Sequence, residues 1–193
     1  MAGRAQLTVI ETPRLTLTLP GPEAAPRIVA YRRENWDYHR PWSPPRGQDD
    51  LSVAVWRRRL DGWAEEEREG FALRLMLFPR GDLGGNVLGT ANFTQIVRGA
   101  FQACYLGYEL DQRCEGRGLM REALEAAIRH MFERVGLHRI MANHIPYNQR
   151  SAGLLKRLGF HPEGYARDYL YIDGAWRDHV LTALANPNAP PPG

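Results

Sequence analysis

Two short stretches combine residue types that could do chemistry. In Arg113-Cys114-Glu115-Gly116-Arg117-Gly118, two glycines are followed at once by the apolar-periodic run that begins Leu119-Met120. Glycine lets a backbone approach a ligand with no side chain between them. The first amides of the helix that must follow point at the same place, with the positive end of the helix dipole behind them. Arg113 and Arg117 add cations suited to phosphate. The chemistry implied is retention of a phosphate-bearing ligand, although a bare Gly-x-Gly before a helix also suits a tight turn. A P-loop is excluded, because no Gly-Lys-Ser/Thr follows; a dinucleotide fingerprint is excluded, because Arg121 stands where its third glycine belongs. The second stretch is Asn148-Gln149-Arg150-Ser151. Asn148 is a good helix N-cap, and the Ser151 hydroxyl can either donate a proton or satisfy local backbone.

The elements that must hold these stretches can be read from periodicity. Apolar and Thr/Arg residues alternate from Arg14 to Leu19, a half-buried first strand stopped by Pro20-Gly21-Pro22. Glu23 to Asn35 reads as a helix with Pro26 in its first turn, followed by an aromatic, proline-rich loop containing Trp36, Tyr38, His39 and Trp42. Asp49 or Asp50 is the expected cap of the next helix, with Leu51, Val55, Leu60 and Trp63 as its buried stripe and an end near Gly70. The runs Arg57-Arg58-Arg59 and Glu65-Glu66-Glu67 belong on its solvated face. Phe71–Phe78, Val87–Val97 and Phe101–Leu110 read as an antiparallel meander.

From Leu119 to Val135 apolar residues recur at three- and four-residue spacing, and Gly136 supplies the stop. His138–His144 is a short strand, and the crossover makes it parallel to the strand before the glycine loop. Asn148 opens a helix with Leu154, Leu155 and Leu158 on its apolar face and Gly159 at its end. Tyr165–Ile172 and Trp176–Leu184 form a hairpin about Asp173-Gly174, a type I′ turn signal. The tail from Asn186 to Gly193, half of it proline, is expected to be disordered.

With 193 residues the chain suits a single domain spanning 1–185. No apolar run reaches membrane-spanning length, and the N-terminal stretch lacks the apolar region of a signal peptide. Cys104 and Cys114 are too few for a disulfide framework, and no Cys/His cluster has metal-site spacing. These observations imply a cytoplasmic protein with no structural metal. The formal net charge of +3 gives no indication of a nucleic-acid groove.

The spacing Arg113-x-x-Gly116-x-Gly118, followed at a set distance by Asn148-x-x-Ser151 and Leu154-Leu155-x-x-Leu158-Gly159-Phe160, resembles the GNAT N-acetyltransferases. From Thr12 to Leu184 the chain is similar to the subgroup that acetylates the N-terminal alanine of ribosomal proteins, above all to its RimJ type. Carrying segments are Ala91-Asn92-Phe93, Val97-Arg98-Gly99, Ala103 to Tyr108, Gly118-Leu119-Met120, His138 to Asn143 and Trp176 to Leu181. The resemblance implies an α/β (α+β) fold. Its mixed, mostly antiparallel sheet of about seven strands splays between the fourth and fifth and is flanked by helices.

Acetyl-CoA is the implied cosubstrate, and the acceptor is the α-amine of a small-subunit ribosomal protein. Pre-ribosomal particles are a further implied partner. Coenzyme contacts fall on Tyr108, Glu109, Leu110, Arg113, Cys114, Glu115, Gly116, Arg117, Gly118, Leu119, Met120, Asn148 and Ser151. The backbone N–H of Leu110 is the implied donor to the thioester carbonyl, and Ser151 a donor to the leaving thiolate. Trp36, Trp42, Asn92 and Phe93 are the expected walls of the acceptor slot.

The acid–base residues of relatives do not carry over. Asn143 stands where one subgroup has a Glu base, Leu155 where it has a Tyr acid, and Leu170 where another has a Glu. An α-amine with a pKa near 7.7–8.0 is roughly a fifth to a third neutral near pH 7.4, against about a thousandth for a lysine. The missing base therefore favours an N-terminal amine. Glu109 and Asp168 are the carboxylates expected to relay its proton through water. Two other functions fit the same sequence: acetylation of a small-molecule amine, and a ribosome-assembly factor that acts by binding.

Overall fold

The computed structural model describes residues 7–189. Eight strands form one sheet in the order β1-β2-β3-β4-β5-β6-β8-β7 among the described residues. They are β1 (Val9–Glu11), β2 (Leu15–Thr18), β3 (Leu73–Pro79), β4 (Gly89–Val97), β5 (Ala103–Leu110), β6 (Arg139–Met141), β7 (His161–Ile172) and β8 (Ala175–Ala185). Every pairing is antiparallel except β5 with β6. The strand beyond the expected seven is β1. At three residues it is too short to show a period, and it exists because the chain doubles back at Thr12 to pair with β2.

Helices α1 (Ala25–Glu34) and α3 (Val53–Arg68) cover one face, with the single-turn α2 (Trp36–His39) following α1; α4 (Leu119–Glu133) and α5 (Gln149–Arg157) cover the other. Alternation along the strands divides the core between them. Leu15, Leu17, Leu75, Phe93, Cys104 and Leu106 pack with Leu124, Met131 and Leu155 of α4 and α5. Met76 and Phe78 pack instead with Ile28, Trp56 and Leu60 of α1 and α3.

The cap of α3 is Ser52, whose hydroxyl accepts from the Val55 amide; the expected Asp49 or Asp50 does not cap it. Asp50 is drawn off by tertiary contacts, its carboxylate to Arg59 and its carbonyl to the Trp56 indole at 2.8 Å. The start shifts with the cap, and the buried stripe becomes Trp56, Leu60 and Ala64, while Trp63 sits edge-on to Trp56. The short β6 also differs from the expected strand to His144. After Met141 the chain leaves β5 but stays with β8: Ala142 donates to Thr182 and His144 exchanges bonds with Val180. Asp173 (φ +47°) and Gly174 (φ +77°) make the turn of the last hairpin, as Asp-Gly predicts. Of the tail, Asn186 is anchored by bonds to the carbonyls of His138 and Leu137; residues 190–193 lie outside the described residues.

Candidate functional site

Parallel pairing between β5 and β6 lasts three residues and ends at Tyr105–Met141. Beyond it the β5 edge from Leu106 to Leu110 has lost its neighbour on that side. The Asp111 amide donates to Leu88 on the β4 side, so by alternation the N–H and C=O of Leu110 point into the gap. The start of α5 closes the gap opposite. Asn148 caps it, accepting from the Ser151 amide at 3.1 Å. The Ser151 hydroxyl is thereby aimed across the gap, where it meets the Tyr108 hydroxyl at 2.8 Å. Burial pushes the Tyr108 phenol up to about 12, against the opposing effect of the Ser151 bond, so it stays protonated at neutral pH.

The glycine loop lies at the end of the same strand. Asp111 caps its first turn by accepting from the Arg113 amide at 2.8 Å, and Asn35, between α1 and α2, accepts from the Gln112 amide at 3.0 Å. Gly116 and Gly118 have φ of +72° and +73°, a region where a side chain is strained. Gly118 is the N-cap of α4 and has no side chain to occupy the first helical amides. That uncapped N-terminus fits an anion.

Arg113 does not serve the anion as expected. Its guanidinium turns back onto Asp111 and Glu34, each at 2.5 Å, because the cap carboxylate sits two residues away. Arg117 holds the loop through its carbonyl, which accepts from Arg14 at 2.9 Å. A second cation from outside the loop, Arg150 of α5, lies 2.5 Å from Glu115 and is also bonded to Tyr38. Sequence reasoning missed it, since an arginine on a helix face gives no local signal. The Cys114 thiol is half-buried and its pKa is raised by burial, so it is no thiolate here.

On the opposite face of β5, a pocket of about 200 Å³ opens between the loop after α2 and the tip of the β7–β8 hairpin. Trp36, Ser43 and Arg46 line one wall and Asp173 and Gly174 the other, with Arg40 joined to Asp173 at 3.5 Å. Of the four residues expected to wall the slot, Trp36 lines this pocket. Trp42 does not line this pocket and packs on Tyr147, with ring centroids 5.9 Å apart. Asn92 lies on this face, half-buried beside Thr90. Phe93 must be withdrawn as a wall: strand alternation sends it to the opposite face, where it is fully buried.

Both carboxylates expected to relay a proton are also corrected. Glu109 accepts from Arg32 at 2.5 Å, from Ser43 at 2.9 Å and from Arg46. Burial would raise its pKa, but the two guanidiniums outweigh that and hold it at about 2. So acidic a group has almost no affinity for a proton near neutrality. Asp168 is exposed at a bulge in β7 with φ +47°, its amide held by Asp178 at 2.9 Å, and no contact joins it to Tyr108 or Ser151.

Both the sequence and the fold have counterparts among known proteins. The pattern of the Acetyltransferase (GNAT) domain covers residues 14–161, and the chain belongs to that family of acetyltransferases. It is 47% identical over 182 residues, 94% of its length and 93% of the relative's, to the [ribosomal protein uS5]-alanine N-acetyltransferase of Escherichia coli (strain K12). Among solved structures, the ribosomal-protein-S5-alanine acetyltransferase of Vibrio fischeri aligns with a TM-score of 0.90 and 35% identity, over 95% of this chain and all of the other. RimJ of Mycobacterium smegmatis, solved in complex with CoA-disulfide, gives a TM-score of 0.84 at 28% identity over 96% and 90% of the two chains.

Proposed function

We propose that the protein transfers the acetyl group of acetyl-CoA to the N-terminal α-amine, of alanine, of a small-subunit ribosomal protein. The hydroxyl pair Tyr108–Ser151, set in a gap that continues from an anion-binding helix start, carries the acetyl-transfer part of this reading. The 47% identity to a uS5-alanine acetyltransferase carries the acceptor.

Bound acetyl-CoA supplies the thioester. The amides from Cys114 to Met120, helped by Arg150 and Arg117, hold its diphosphate, and Asn148 borders its arm. The Leu110 N–H, pointing into the gap, takes the thioester oxygen as charge develops there. Tyr108 and Ser151 share a proton bond and stand ready to protonate the departing sulfur. The acceptor enters by the pocket at Trp36. Its walls favour a peptide end over a polycation, because the one carboxylate lining it, Asp173, is paired with Arg40 and Glu109 behind it is paired twice. No helix among the described residues is long and apolar enough to cross a membrane, and a ribosomal acceptor implies work in the cytoplasm.

Incubation of purified protein with acetyl-CoA and peptides beginning with alanine tests this directly. Fragment masses must place the acetyl group on the α-amine, and an α-blocked peptide with a free lysine must stay unmodified. Mass spectrometry of ribosomal proteins from cells with and without the gene identifies the natural acceptor. Acetyl-lysine as the main product, or unchanged ribosomal proteins, overturns the assignment.

A further inference from the structure

Helix α2 carries a side chain to which the reaction as described assigns no role. His39, 5% exposed, places Nε2 at 2.9 Å from the carbonyl oxygen of Leu110, in the gap. A carbonyl can only accept, so Nε2 bears the hydrogen and Nδ1 of the neutral ring is a bare lone pair. That Nδ1 is buried, has no hydrogen-bond partner among the described residues, and lies 3.7 Å from Oε2 of Glu109. Glu109 in turn bonds Ser43 and Arg46, two residues that line the acceptor pocket. Tyr31 Oη, Arg32 Nε and Arg46 Nη1, on side chains packed about His39 or Glu109, are likewise buried without partners. Such a cluster of unsatisfied polar atoms is where proteins hold internal water.

We propose that Nδ1 of His39 accepts the proton released in acetyl transfer, reached from the acceptor amine through water, with Glu109 fixed beside it to stabilise the imidazolium. The inference rests on the acetyl-transfer reading above. As the amine nitrogen gives its lone pair to the thioester carbon, the new C–N bond leaves that nitrogen cationic. One N–H proton passes through water to Nδ1. The C–S bond breaks with its electron pair on sulfur, which takes a proton from the Tyr108–Ser151 pair. Imidazolium and hydroxyl pair then exchange protons with solvent, so the net change is one proton from amine to thiol.

The surroundings suit the task. Glu109 faces the ring from β5, Tyr31 and Arg32 from α1, Tyr38 from α2 itself and Arg46 from the following loop. Burial lowers the His39 pKa below its ordinary 6.5, Glu109 opposes this, and Arg46 and Arg32 reinforce it. The ring is therefore neutral at pH 7 and able to accept. Glu109, useless as a base itself, is a countercharge that stays ionised throughout.

The test uses two variants and one measurement that needs no turnover. The amide nitrogen of His39→Gln can keep the bond to Leu110 while the basic lone pair is lost; His39→Ala loses both. The proposal expects kcat of His39→Gln to fall about a hundredfold or more with the KM for acetyl-CoA unchanged. The acid limb of the wild-type kcat profile, below pH 6.5, should vanish with it. Nitrogen-15 shifts of the histidine ring in the free protein should show Nε2 protonated and Nδ1 bare at pH 7. If His39→Gln is as active as wild type while His39→Ala is not, His39 only positions Leu110 and the proposal is overturned; a protonated Nδ1 overturns it as well. A wild-type protein that fails to bind acetyl-CoA sinks the function reading instead, and the ring measurement still decides the tautomer.

Discussion

The Tyr108 and Ser151 hydroxyls meet at 2.8 Å across the gap between β5 and α5, two groups 43 residues apart in sequence sharing one hydrogen bond. In the proposed reaction, a proton handed to the departing sulfur by one of them would be replaced by the other. Tyr108→Phe and Ser151→Ala should each slow kcat about tenfold or more at saturating acetyl-CoA. The double variant should lose much less than the product of the two, because the pair acts as a unit. Single-turnover kinetics on the three variants checks this, and near-normal rates would remove the pair from the chemistry.

Glu109 is a matter of stability as much as geometry. Glu109→Gln leaves Arg32 and Arg46 without their shared carboxylate, a loss of about 3–5 kcal/mol when a buried pair is broken. Its folded pKa of about 2 lies below the ordinary 4.5, so the stabilisation is complete above about pH 4.5 and disappears as pH falls toward 2. Denaturant unfolding from pH 6 down to pH 2 should show this slope in the wild type and a flatter one in Glu109→Gln. Equal slopes in both would place the acid sensitivity elsewhere.

Gly118 tests the anion site. A Cβ there would meet only Arg14 Nη2, at 3.7 Å, so steric conflict is small and the cost lies in the left-handed backbone, about 1–2 kcal/mol. Relaxing that strain turns the first α4 amides away from their common target. Gly118→Ala should thus weaken acetyl-CoA binding in calorimetry by about tenfold while the protein stays folded. Gly99, with a similar φ of +70° but remote from the gap, is the control: Gly99→Ala should lose stability and keep affinity.

A change at Trp36 tests the proposed acceptor pocket apart from the coenzyme site. Trp36→Ala opens one wall of a pocket that no residue of α4 or α5 lines. The KM for an N-terminal peptide should rise, by about tenfold for the loss of 1–2 kcal/mol of aromatic contact, with the KM for acetyl-CoA unchanged. A rise in the acetyl-CoA value alone would mean that the pocket belongs to the coenzyme.

The sequence by itself determined whatever depends on near neighbours. The apolar period of α4, the glycines before it, the Asn148 cap and the Asp173-Gly174 turn are each set by a few adjacent residues, and each stands where periodicity and turn chemistry put it. Together they dictated a strand, a glycine loop, a helix and a facing capped helix in that order. The tertiary structure decided how the polar groups are used, because ionisation and orientation answer to charges near in space and not in sequence. Glu109 reads as a free carboxylate until Arg32, 77 residues away, and Arg46, 63 away, close on it. His39 reads as loop packing until its ring meets Leu110 across 71 residues. Phe93 and Asn92 are adjacent in sequence, yet the pleat sends one into the core and leaves the other half-buried on the opposite face of β4.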